Sequence, residues 1–191
     1  MKQDHKKDSI MKQIINGKIL TPAGWLENGS VIVEGNKIAK VCNSNYPIAG
    51  AETIDAKGAY IVPGGIEMHA HGGGGRDFME GTEEAFRVAV DAHMQYGTTA
   101  IYPTLSSSTV PMIEKAVETC DRLMAEENSP ILGLHLEGPY FNPKMAGAQI
   151  PEWIKAPVAA EYEKILSNSK CLKRWDEAPE LEGSIDFIRC C

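Results

Sequence analysis

The sequence predicts an α/β protein in which parallel strands alternate with helices behind a β-rich opening. Two observations predict it. Residues 12–62 hold short β-branched runs cut by turn residues. After Pro63-Gly64-Gly65 the pattern changes to short apolar strands separated by helix-length amphipathic segments. A (β/α)8 barrel and a doubly wound sheet both fit this alternation. The stretch from Pro63 to Cys191 is roughly half of the ~250 residues that a complete barrel takes.

The elements follow in order. IINGKIL and VIVEGNKIAKV read as strands, broken by Pro22-Ala23-Gly24, Asn28-Gly29 and Glu34-Gly35-Asn36, with Gly35-Asn36 at a hairpin tip. IEMHAH is the first strand of the second region. Thr82 to Tyr96 follows as a helix, with Glu83 and Glu84 in its first turn and Gly97 as its stop. TTAIYPT is the next strand. A second helix runs from about Pro111 to Glu126, capped by Ser108 or Thr109, with Ile113, Val117, Cys120 and Met124 on one face. ILGLHLEG is a third strand, Pro157 to Ser167 a third helix, LKRWDEA a candidate fourth strand, and SIDFIRCC the start of another helix.

Composition narrows the function classes. The chain has 191 residues, of which 43% are hydrophobic, enough for a sizeable core. A net charge of -7 and a pI near 5.3 argue against nucleic acid or a membrane surface as the main partner. An anionic substrate remains compatible, because a local site can be positive inside an acidic protein. No apolar run approaches the ~20 residues of a membrane span. The start, MKQDHKKDSIMKQ, leads into no signal-peptide core and reads as a polar tail over 1–11, with Met11 as an alternative start. Cys42, Cys120, Cys171, Cys190 and Cys191 show no CxxC spacing, so neither a disulfide framework nor a zinc knuckle is expected. A reducing cytoplasm is the expected compartment.

The chemistry concentrates in EMHAHGGGGRDF. Side chains two apart on a strand share a face, so His69 and His71 point together, with Glu67. Ile66, Met68 and Ala70 are expected on the opposite face, towards packing helices. Two imidazoles converging at a strand end suit a divalent metal; two partly exposed loop histidines are the other reading. The glycines are expected to let substrate and metal come close to the main chain. No GK[ST] follows them, and they do not open a helix as GxGxxG would, so this is not a nucleotide loop. In ILGLHLEGP, Leu132, Leu134 and Leu136 share the helix-facing side. Ile131, Gly133, His135 and Glu137 then share the other, with Glu137 at the strand's C-terminal end, where a barrel keeps its chemistry. His135 reads as a hydrogen-bonded interior histidine, His93 as packing or surface, and His5 as tail.

PGGIEMHAHGGGG, then GTTAIYPT, then LGLHLEGPYFNPKMAGAQ, then APEL resemble, in order and spacing, the N-acetylglucosamine-6-phosphate deacetylases of the amidohydrolase superfamily. The resemblance runs from about residue 12 to the end. It implies a (β/α)8 TIM barrel of the metal-dependent amidohydrolase type, here truncated to about the first four βα units (63–191), preceded by part of a small β-sandwich domain (12–62). It implies that His69, His71 and Glu137 are metal ligands for one or two divalent ions, zinc or iron, and that Ala148 and Gln149 contact the amino sugar. Some members lack the histidine pair and bind one metal; here the pair is kept. Glu67 stands where the family commonly has Asp, a mild departure. The implied reaction hydrolyses the acetamido group of N-acetylglucosamine 6-phosphate to glucosamine 6-phosphate and acetate. The full-length protein is expected to be a homodimer acting on this small molecule, without nucleic acid or membrane.

The resemblance also implies what this chain lacks. The family uses two further histidines and a late aspartate that moves the proton. No histidine follows His135, and Asp176 and Asp186, the only aspartates beyond Asp121, lie in no matching block. The chain is therefore expected to be an N-terminal fragment, inactive alone, with the catalytic aspartate beyond Cys191. Two alternatives stand beside this reading. One is another amidohydrolase, dihydroorotase-like or an N-acyl deacylase, which would share HxH but not HLEGP with GAQ. The other is a non-catalytic remnant that binds a sugar phosphate or a partner chain.

Overall fold

The computed structural model describes residues 11–191. The polar tail expected over 1–11, with His5, lies outside the described residues except for Met11, which opens the first strand. The chain divides into two compact units, one ending at Pro63 and the other running from Gly64 to Cys191.

The first unit is a five-stranded mixed sheet. It comprises β1 (Met11–Thr21), β2 (Gly24–Glu34), β3 (Lys37–Cys42), β4 (Glu52–Asp55) and β5 (Tyr60–Ile61). The path β3-β2-β1-β4 is hydrogen-bonded in that order, and β5 also pairs with β1. The β2–β3 hairpin turns at Gly35, as the sequence predicts. Asn28-Gly29, however, does not break the strand. Asn16 and Asn28 take φ of 58° and 55°, and the β1–β2 register shifts around Gly17↔Gly29, so this turn-like pair makes an irregularity inside a long hairpin. Buried Gln13 fixes the unit's loop: its Oε1 accepts from Ile48 N at 2.9 Å and its Nε2 donates to the Tyr46 carbonyl at 2.9 Å.

The second unit is built on four parallel strands: β6 (Gly65–Ala70), β9 (Thr98–Leu105), β10 (Leu134–Glu137) and β11 (Leu172–Asp176). Between β6 and β9 lie a short ribbon, β7 (Gly72–Gly73) with β8 (Arg76–Asp77), and α1 (Glu83–Met94). Helix α2 (Val110–Met124) joins β9 to β10, α3 (Ala159–Asn168) joins β10 to β11, and α4 (Ser184–Cys190) follows. The strand order is β6-β9-β10-β11. Each strand joins the one before it, without the reversal that marks a doubly wound sheet.

The helices form where periodicity and caps agree. Thr82 caps α1, its Oγ1 accepting from Ala85 N at 3.2 Å; Thr109 precedes α2 without a side-chain cap bond. Phe86, Ala89 and Val90 of α1, Ile113, Val117 and Cys120 of α2 and Ile165 of α3 share one apolar cluster with Ile101, Leu105, Leu134 and Leu136 of the sheet. Asp121 clamps the turn before β11, its carboxylate accepting from the amides of Lys170 and Cys171 at 3.0 and 2.6 Å.

Two expectations about faces need correction. Ile66 and Met68 do not pack under helices: they are 59% and 50% exposed, because β6 is an edge strand among the described residues and the nearby helices cover β9 and β10. Leu132 is 45% exposed, because regular pairing starts only at Leu134, and Ile131 makes a single bridge to Ile101 instead.

The glycine run has a packing role beyond the one expected of it. Gly74 and Gly75 sit at φ of 60° and 80°, the conformation that a tight hairpin turn requires at its two central residues. A Cβ on Gly73 would lie 2.9 Å from the Ala89 carbonyl, and one on Gly72 would collide with the carbonyl of Arg76. The missing side chains let the ribbon turn and lie against α1. His93 secures this arrangement: its Nε2 is 2.9 Å from the Gly72 carbonyl, and the Phe78 amide bonds the His71 carbonyl at 2.9 Å.

Candidate metal centre and substrate cleft

The C-terminal ends of β6 and β10 bring His69, His71 and Glu137 together. One ligand atom from each lies within 4.8 Å of the others, and no other such cluster of His, Cys, Asp and Glu occurs among the described residues. His71 is the residue just past β6. Its Nε2 lies 3.2 Å from Glu137 Oε2, and its Nδ1 lies 3.2 Å from Ser106 Oγ. The rings of His69 and His71 meet edge to face with centroids 4.8 Å apart. Glu67 does not join them; its Oε1 accepts from the His69 amide at 3.1 Å.

The donor set suits a divalent ion. Two imidazole nitrogens and a carboxylate oxygen are the mix that zinc and iron take. Ligands bound at ~2.0–2.2 Å sit roughly 3.3 Å apart around one ion. The 3.2 Å between His71 Nε2 and Glu137 Oε2 matches that spacing.

Behind this cluster lies a buried polar chain. His135 is fully buried, as read from the sequence, and it is not isolated. Its Nδ1 is 3.3 Å from His69 Nδ1 and 3.2 Å from Thr104 Oγ1. Its Nε2 is 3.0 Å from Asp176 Oδ2, near enough for an ion pair but out of line for a hydrogen bond. Arg174 grips the same carboxylate with Nε and Nη2 at 3.1 and 3.2 Å. Burial lowers the His135 imidazole from its ordinary range; the Asp176 charge opposes that shift but does not reverse it.

Beside His71 and Glu137 opens a cleft of about 490 Å³, lined also by Ser106, Phe141, Met145, Ala146, Gly147, Ala148 and Gln149. Ala148 and Gln149 therefore stand at the same opening as two of the cluster residues. Gln149 also has a structural bond: its Oε1 accepts from the Ser107 amide at 2.9 Å, tying this loop to the end of β9.

Sequence reasoning missed Thr104, Ser106 and Asp176. The signal for Asp176 was present: Arg174 and Asp176 alternate with Trp175 in a strand, so both share the face of His135 once β11 pairs with β10. Ser106 had no such signal, because the loop after β9 brings it to His71.

The four-strand parallel layer with a two-histidine, one-carboxylate cluster at its C-terminal edge resembles that of deacetylases with the amidohydrolase fold. No family model matches the chain. The particular likeness is to N-acetylglucosamine-6-phosphate deacetylases: the chain is 30% identical over 178 residues to that of Bacillus subtilis, covering 90% of this chain and 45% of the relative. It is 29% identical over 177 residues to an N-acetylgalactosamine-6-phosphate deacetylase of Escherichia coli O157:H7, with coverage of 90% and 45%. The solved N-acetylglucosamine-6-phosphate deacetylase of Pasteurella multocida shares the fold at a TM-score of 0.87 and 24% identity, over 94% of this chain and 47% of that one. The chain thus spans about half the length of the curated relatives it matches, consistent with an N-terminal half.

Proposed function

We propose that this chain is the N-terminal half of a metal-dependent deacetylase of amino-sugar 6-phosphates. The substrate would be N-acetylglucosamine 6-phosphate and the products glucosamine 6-phosphate and acetate. The convergence of His69, His71 and Glu137 at the C-terminal ends of β6 and β10 carries this reading. That is the end where a (β/α)8 barrel keeps its active site. The one-directional strand order supports a barrel truncated to about four βα units. Residues 12–62 then form part of a small β-sandwich.

In this reading His69, His71 and Glu137 hold one divalent ion, zinc or iron. The ion supplies Lewis acidity, lowering the pKa of a water and polarising the acetyl carbonyl. With its Nδ1–H donating to the Ser106 hydroxyl 3.2 Å away, His71 would offer Nε2 to the ion in place of the contact it makes with Glu137. Ala148 and Gln149 face the amino sugar from the cleft wall. Asp176 is engaged by His135 and Arg174, so it is not free to serve as the proton-moving aspartate. Both that aspartate and the remaining ligands belong to the part of the relatives that this chain does not cover, and the whole protein is read as a homodimer. The E. coli relative leaves N-acetylgalactosamine 6-phosphate as a second substrate.

Zinc titration of the 191-residue chain, paired with an acetate-release assay, tests the proposal. Expected is one ion per chain, lost in His69→Ala and Glu137→Ala, with no acetate released from either sugar phosphate. Absence of zinc binding would remove the metal reading. Zinc-dependent acetate release would show that the site needs no further half.

A further inference from the structure

The metal reading leaves open which nitrogen of His69 is offered. Neutral imidazole carries one N–H and one lone pair, and the neighbours of one nitrogen fix the role of the other. The neighbours here form a connected series: Arg174, Asp176, His135, His69.

The series is read from its buried end. Among the described residues His135 Nε2 has no in-line partner, and the group within reach is the Asp176 carboxylate at 3.0 Å. A carboxylate only accepts. A bare Nε2 would set two lone pairs against each other in a buried place, whereas an Nε2–H has an acceptor and needs only a small rotation to line up. The Arg174 fork anchors the carboxylate that receives it. His135 Nδ1 is therefore the bare nitrogen.

That nitrogen has two neighbours. The Thr104 hydroxyl, at 3.2 Å, accepts from the Ala70 amide at 3.1 Å and can place its hydrogen on the Tyr102 carbonyl at 3.3 Å. His69 Nδ1, at 3.3 Å, has no other polar partner among the described residues. Two bare nitrogens at that distance would repel, so His69 Nδ1 carries the hydrogen and donates it to His135. The lone pair of His69 is then on Nε2.

We propose that Asp176 is a positioning residue: acting through His135, it sets the tautomer of His69 so that Nε2 is the atom offered to a divalent cation. The proposal rests on His69 being a ligand, and it adds what orients that ligand. Partners of this kind typically carry a 10–100-fold share of metal affinity.

Long-range proton–nitrogen NMR on the metal-free 191-residue chain reads both tautomers directly, with zinc titration alongside. In the unsubstituted chain His69 is expected as Nδ1–H and His135 as Nε2–H. In Asp176→Asn the His69 population shifts towards Nε2–H and zinc affinity falls about 10–100-fold, while Asp176→Glu retains the original tautomers. A His69 that is Nε2–H in the unsubstituted chain overturns the proposal, whether or not any variant folds. Unchanged tautomers in a folded Asp176→Asn chain overturn it too. Should the tautomers come out as stated while zinc fails to bind, the positioning stands and the metal reading falls, so the two are separable.

Discussion

Glu137 and Asp176 are register partners at the C-terminal ends of two adjacent parallel strands. Their carboxylates diverge: Glu137 reaches His71 at 3.2 Å, and Asp176 reaches His135 at 3.0 Å. On the proposed reading, one strand-end layer would supply both a ligand and the support of a ligand.

Glu137→Gln keeps the shape of the side chain and removes the charge. Divalent-ion affinity is expected to fall more than about tenfold, worth about 1.4 kcal/mol. Glu67→Gln, whose side chain serves the His69 amide, should stay within about threefold. Calorimetric titration of both variants checks the pair, and equal losses would count against the assignment of Glu137.

Leu136 and Leu132 share the sequence pattern but not the environment. Leu136 is fully buried in the apolar cluster, so Leu136→Ala is expected to cost about 2–5 kcal/mol. Leu132→Ala, at a half-exposed position, should stay within about 0.5 kcal/mol. Urea denaturation with a common slope measures the contrast.

Acid should loosen the tie between α1 and the end of α2. Arg87 bonds both Glu83 and Glu126, and the guanidinium holds the Glu126 carboxyl below its usual range. A carboxyl depressed in the fold contributes stability above its unfolded pKa, and that contribution is lost as pH falls through the folded value. The loss therefore begins near pH ~4.5 and grows below it. Thermal melts from about pH 5.5 to about pH 3.5 should fall less steeply in Glu126→Gln than in the unsubstituted chain.

Gly73→Ala presses a Cβ to 2.9 Å from the Ala89 carbonyl and is expected to destabilise by about 1–3 kcal/mol. Gly75→Ala meets open space and pays for its positive φ alone, about 1–2 kcal/mol. If the glycines serve packing, only Gly73→Ala also disturbs the NMR signals of α1. Equal disturbance by both would return the run to a turn-only role.

The parts of the fold legible in the sequence were those set by local pattern. Thr82 and Glu83 open the first helix as read because capping is short-range, whereas the helix ends at Met94 with Gln95 as its C-cap, ahead of Tyr96 and Gly97. His69, His71 and Glu137 were legible because strand alternation fixes a face. Ile66 and Met68 were misread because what covers a face depends on which strand is an edge, and that is a property of the whole sheet. The packing role of the glycine run was not legible because nothing in HGGGG says that α1 folds back against it. Asp176 was passed over because its partner lies far off in sequence and meets it only when β10 and β11 pair.

The hydrogen bond from His93 to the Gly72 carbonyl joins the last turn of α1 to the residue directly after His71. The loop that carries His71 is therefore held by α1 through a side-chain bond as well as through packing.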